Sequence, residues 1–245
     1  MLTLPNTLVS YGDNCLAMQK GDLGKTIVCD LALPVDDTGG KTIRNLLFCG
    51  IGSTSQNGRL SGSITVTGGS TLKANEIFRI QEMDSVTIGP SVTAVRSNGL
   101  AWNFNCMRIW IQGYLTAIEK SAVRDNYMCE KLDYHFRGET IPEAAFWANI
   151  SLRKIHIPEG VKYLGENCVG CLRYLEILLL PASLEAVEGG VVHLGQYDGQ
   201  WTENGTCVFV SAPASDNWDS YWKSYFPTSV RFHVGDGSYA VDGMV

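Results

Sequence analysis

The chain has 245 residues, of which 45% are hydrophobic and 18% charged, with a formal net charge of -6 at pH 7. That length and apolar content supply a full core and exclude a tail or a linker. The negative balance excludes nonspecific nucleic-acid binding, which needs a positive field to release counterions from phosphate, and the 26 glycines with few charges favour turns and short strands over long surface helices.

The N-terminal run MLTLPNTLVSYGDNCLAMQK has no basic segment, and Pro5, Asn6, Gly12 and Asp13 interrupt its apolar residues, so no secretory signal is expected. The longest strongly apolar run, Ile177 to Leu180, is too short to cross a bilayer, and no membrane insertion is expected. LTLPNTLVSYGDNCLA from Leu2, LALP from Leu31 and SITVTG from Ser63 read as openings of one recurring unit. Residues 1–84 are therefore expected to hold irregular repeats with insertions, a separate small β domain being the alternative. Within them, Gly21 to Thr26 (GDLGKT) is like the end of a phosphate-binding loop. That motif requires Gly where Gln19 stands, and a helix where TIVCDLALP reads as a strand, so no nucleotide site is expected.

From residue 85 to 207 the repeat is regular. The segments starting at Val86, Ile109, Leu132, Ile155 and Leu178 align at a spacing of 23 residues. The first position holds Val86, Ile109, Leu132, Ile155 and Leu178, and the third holds Ile88, Ile111, Tyr134, Ile157 and Leu180. Two apolar residues around a variable one is the pattern of a half-buried strand. Apolar residues recur at the seventh (Val92, Leu115, Val161, Leu184), tenth (Val95, Ile118, Ile141, Leu164, Val187), fifteenth (Leu100, Val123, Phe146, Val169, Val192) and twenty-first positions (Cys106, Cys129, Leu152, Leu175). At the seventh, Gly138 leaves one core slot empty. A unit of this size cannot bury its apolar face alone, so the expected architecture is a solenoid of stacked, parallel strands about 4.8 Å apart. The eighteenth position is Asn103, Asn126 and Asn149, a column suited to bonding the backbone of its own bend and of the adjacent turn.

The run IHIPEGVKYLGENCVGCLRYLEILLLPASLEAV, with weaker copies before it, resembles the BspA-like leucine-rich repeats, whose pattern is roughly I-x-I-P-x-x-V-x-x-I-G-x-x-A-F-x-x-C-x-x-L. The resemblance covers residues 86 to 192; Val or Leu mostly replaces the family's Phe, which only Phe146 keeps. It implies a mainly β leucine-rich-repeat solenoid with short helical segments. Residues 208–245 are expected to close it. VFVSAP from Val208 restarts a strand, and SDNWDSYWKSYF, with Ser215 as N-cap and Trp218, Tyr221, Trp222 and Tyr225 at helical spacing, reads as an aromatic capping helix before SVRFHV.

Chemistry-bearing motifs are sparse. The eight cysteines are scattered through a long chain, where buried free thiols rather than a disulfide framework are expected. The Cys-x-x-Cys of Cys168 and Cys171 falls on the fourteenth position, a small-residue column with Gly99, Ala122 and Ala145, and on the seventeenth. The four histidines, 135, 156, 193 and 233, join no cysteine at metal-ligand spacing, and no nucleophile elbow or Cys/His pair is present. No catalytic, cofactor or metal site is expected, and an enzyme reading stands last.

The outward strand positions remain. The second position stacks Thr87, Trp110, Asp133, His156 and Leu179, and the residue before each strand adds Ser85, Arg108, Lys131, Lys154 and Ile177. An exposed Trp110 and Leu179 beside a column of cations mark Arg108, Trp110, Lys131, Asp133, Lys154, His156 and Leu179 as the candidate partner-binding set. A solvated ribbon with self-neutralising charges is the alternative. The resemblance implies a non-enzymatic recognition or adhesion module of bacterial surfaces, binding a host or microbial protein or glycan. The alternative is a bacteriophage tail or capsid-associated structural or host-recognition protein contacting neighbouring subunits. Location follows from the same choice: cell surface or extracellular if a signal has been removed, virion or cytoplasm if Met1 is the native start.

Overall fold

The computed structural model describes residues 63–66, 68–78 and 83–188 with their side chains, together with the backbone of the strands Leu2–Thr3, Thr26–Val28, Leu31–Leu33, Arg59–Ser61, Cys207–Val210 and Arg231–Val234. Every regular element among the described residues is a strand, and every strand pairing is parallel. The expected short helical segments are tight turns there instead. The predicted capping helix around Trp218 and Tyr221 lies outside the described residues.

Each turn of the solenoid contributes one strand to its main face, which is made of two successive ladders. Ile64, Val86, Ile109 and Leu132 stand side by side in it, as do Ile155 and Leu178 further on. Leu2 pairs with Leu31 and Leu31 with Ile64, so the irregular N-terminal openings add strands to the same sheet. At the other end Leu178 pairs with Val208 and Val208 with Phe232, extending the ladder beyond the regular block. Two-residue strands at Thr71–Leu72, Ala94–Val95 and Ala117–Ile118, and again at Thr140–Ile141, Tyr163–Leu164 and Ala186–Val187, form a second side of the coil.

The core follows the sequence columns. Val86, Ile88, Val92, Val95, Leu100 and Cys106 of one turn are fully buried, and the equivalent residues of the following turns stack on them. Alternation explains this: in Ser85–Ile88 and Arg108–Leu115 every second side chain points inward.

The third side of the coil is bent rather than extended. Two residues per turn adopt left-handed backbone, at the thirteenth position (Asn75, Asn98, Ser121, Ala144, Asn167, φ 54 to 60°) and at the seventeenth (Trp102, Asp125, Ala148, Cys171, φ 55 to 63°). Asn tolerates this region; Trp and Ala do not favour it, so stacking must hold them there. The holding bonds are visible. Val123 N–H donates to Ala145 O at 2.8 Å and Phe146 N–H to Cys168 O at 2.8 Å, each reaching forward to the next turn. On the second side the direction reverses, Arg96 N–H donating back to Leu72 O at 2.9 Å and Glu119 N–H to Val95 O at 3.0 Å.

The asparagine column completes the bend. The backbone N–H and Nδ2 of Asn103 both donate to Oδ1 of Asn126 at 3.1 Å, and those of Asn126 to Oδ1 of Asn149 at 3.1 Å. Each amide also donates to a carbonyl of the preceding turn, Ile77 O, Leu100 O and Val123 O. All three side chains are buried, so the ladder satisfies backbone groups that water does not reach. It ends where the column becomes Leu172.

One turn departs from the rest. Leu115 is in register with Phe136, not with Gly138, because the pairing shifts between Trp110 and Tyr114. The Phe136 ring therefore occupies the slot that Gly138 was expected to leave empty, and a Cβ at Gly138 would lie 2.3 Å from that ring. Tyr134 turns in beside Phe146, ring centroids 5.1 Å apart, and its hydroxyl donates to His156 O at 2.7 Å. That bond links two strands, Lys131–Phe136 and Lys154–His156, which lie in separate ladders.

Candidate functional site

The outward face of the main ladder gathers most of the predicted set on three adjacent strands. Arg108 pairs with Lys131 and Trp110 with Asp133 in register, while Lys154 and His156 lie on the next strand. Arg108 Nη2 donates to Asp133 Oδ2 at 3.2 Å, and Lys131 Nζ lies 3.6 Å from the same oxygen. One carboxylate thus serves two of the three cations of the column, the offset that the repulsion of stacked cations requires. Exposed pairs of this kind contribute about 0–1 kcal/mol each, so they orient side chains more than they stabilise the fold.

Trp110 is 40% exposed, with the Arg108 guanidinium 5.7 Å from its ring centroid. Leu179 departs from expectation. It is only 7% exposed, lying in register between His156 and Phe209 in an interior strand, and contributes no apolar surface. His156 is exposed as a residue, yet loss of water around its imidazole holds its pKa below the usual histidine value; Lys154 and His135 act in the same direction, Glu159 against it.

Three residues belong to this surface that sequence reasoning missed. Tyr114 is 51% exposed, the Arg137 guanidinium sits 3.9 Å from its ring centroid, and the His135 ring packs on it at 4.9 Å. The shift of register after Trp110 brings them together by setting Tyr114 opposite His135. In the repeat numbering Tyr114 and Arg137 share the sixth position and His135 holds the fourth, columns without a shared residue type. The only signal was the length of apolar alternation in IWIQGYL.

The thiols occupy architectural places. Cys168 is fully buried in the small-residue column above Ala122 and Ala145, and Cys171 sits in the left-handed corner at φ 55°. Burial pushes the Cys106 thiol up to about 12 and raises Cys129 and Cys168 as well, so these three carry no appreciable thiolate at neutral pH. Among the described residues no group of three or more His, Cys, Asp or Glu side chains could hold a metal ion.

The profile of the BspA type leucine rich repeat region matches residues 64–191 in six copies. The chain belongs to the BspA type leucine-rich-repeat family. The matched residues span the stacked turns, and the paired apolar positions of each turn form their shared core. Among solved structures, the chain is similar to the crystal structure of the pneumococcal vaccine antigen PcpA, at 15% identity over 86% of this chain and 71% of that one, with a TM-score of 0.36. A search of curated proteins finds no match.

Proposed function

We propose that this BspA type repeat protein is a non-enzymatic recognition module that binds a protein partner on a cell surface through the outward face of its main ladder. The observation that carries the reading is Trp110, a large aromatic residue kept 40% exposed on a rigid parallel ladder and ringed by Arg108, Lys131 and Asp133. Large aromatic and Arg side chains are the residues most often responsible for binding energy, and a ladder fixes them without ordering cost on association. Lys154 and His156 extend the surface, while Leu179, buried beside His156 on the following strand, takes no part in it. Family membership favours the same reading, since repeats of this class present side chains on a stacked scaffold.

The test is retention of a surface-protein extract on the immobilised chain, compared with a Trp110→Ala, Lys131→Ala variant. Both side chains are exposed, so the variant is expected to keep the circular dichroism and melting temperature of the parent and to lose the retained protein. Equal retention by the folded variant would remove the strand face from the interaction.

A further inference from the structure

Resting on that reading of the strand face, we infer that its partner is an acidic segment of polypeptide, carboxylates interleaved with apolar side chains. The chain as a whole carries -6, yet three neighbouring strands set Arg108, Lys131 and Lys154 against the single outward carboxylate of Asp133, with Arg137 just past the second strand and Glu130 just before it. A local surplus of two positive charges on an acidic protein is a field that attracts anions to one place.

Two of those cations are uncommitted. Arg108 and Lys131 share Asp133, whereas among the described residues Arg137 and Lys154 form no ion pair. Of the other nearby acids, Glu159 is engaged by the Ala182 backbone N–H at 2.9 Å and Glu139 by Lys162 at 3.0 Å. Arg137 is held over the Tyr114 ring at 3.9 Å, which fixes the plane of its guanidinium, and a fixed guanidinium favours a bidentate carboxylate.

The same contacts weigh against a sugar. Tyr114 already packs against Arg137 and His135, and a guanidinium lies over Trp110, which leaves ring edges for an apolar side chain more than the open face a pyranose stacks on. A sulfated polymer would meet Asp133 at the centre of the patch. A peptide accommodates it, because backbone N–H groups and occasional basic side chains are donors. Apolar side chains of the peptide would rest on Trp110 and Tyr114, and its carboxylates on Arg137 and Lys154.

The experiment titrates the full chain into three fluorescent probes: a peptide alternating Glu with Leu and Phe, its Lys-for-Glu counterpart, and a sulfated oligosaccharide. Anisotropy is read at about 0.05 and about 0.5 M salt. The acidic peptide is expected to bind and to weaken as salt rises. The Lys peptide is not. Arg137→Glu and Lys154→Glu together should weaken the acidic peptide by about tenfold or more while the circular dichroism stays that of the parent, Arg137 being exposed and Lys154 half-buried on the outward face. Equal binding of the two peptides, binding of the oligosaccharide alone, or indifference to the charge reversals would overturn the inference. Trp110→Ala separates the two levels. If it abolishes binding while charge reversal does not, the strand face stands and the acidic partner falls; if neither substitution matters, both fall.

Discussion

Asp125 is the residue whose chemistry conflicts most with its place. It sits in the left-handed corner at φ 57°, 4% exposed, with Arg124 Nη1 3.1 Å from Oδ2 but not aligned as a hydrogen bond. Burial raises its carboxyl pKa above the ordinary aspartate value, outweighing the opposing pull of Arg124 and Tyr127. The folded state therefore binds the proton more tightly than the unfolded chain, and this group's effect on stability becomes unfavourable as pH rises through the carboxylate range. Asparagine is neutral, nearly the same shape, and at ease in left-handed backbone. Asp125→Asn is expected to raise the melting temperature at pH 7, the gain shrinking as the pH falls toward 4 and the aspartate protonates too. A gain that persists unchanged at low pH would place its origin in the backbone instead of the charge.

At the scale of the strand, Gly113 allows the register shift that builds the Tyr114 cluster. A Cβ there would lie 2.3 Å from Val92 O and 2.9 Å from Pro90 O, backbone atoms of the previous turn that cannot step aside. Gly113→Ala is expected to cost about 1–3 kcal/mol in chemical denaturation, the range for overpacking a filled site. It should also alter the environment of Tyr114 and His135; unchanged stability would show that the previous turn yields. The same segment marks the limit of what the sequence reveals. The six apolar columns, the asparagine ladder and the exposed Trp110 were legible because identical turns must present identical side chains at one interval. The offset that places Phe136 over Gly138, and with it His135 against Tyr114 on the candidate surface, breaks that interval by two residues within a single strand pair. No column records such an event. The left-handed corners were hidden for a different reason: Trp102 and Ala148 are forced into them by forward hydrogen bonds from neighbouring turns, a tertiary demand that local composition does not express. The burial of Leu179 was equally out of reach, since it depends on strands continuing on both flanks.

At the scale of the molecule, the backbone bonds run backward along the second side of the coil and forward along the bent side, so the dipoles of the two sides oppose one another. Each turn touches only its neighbours, and surface ion pairs such as Arg96 with Glu119 and Lys120 with Glu143 likewise join one turn to the next. Continuity is weakest beside the irregular turn, where the main ladder passes from Lys131–Phe136 to Lys154–His156 through the Tyr134 hydroxyl, and the short-strand ladder divides between Ala117–Ile118 and Thr140–Ile141. A protein stretched between two surfaces feels this as a mechanical property. Tension applied to the ends of such a stack peels coils in sequence, each releasing about 80 Å of contour for 23 residues. Pulled by optical tweezers, the chain is expected to lengthen in a staircase of such steps with a pause at the interrupted ladder. A single rupture spanning residues 86 to 188 would mean that the turns share load as one body. With a staircase, the break in pairing bridged by the Tyr134 hydroxyl and His156 O acts as a fuse, letting part of the coil pay out under strain while the rest stays folded.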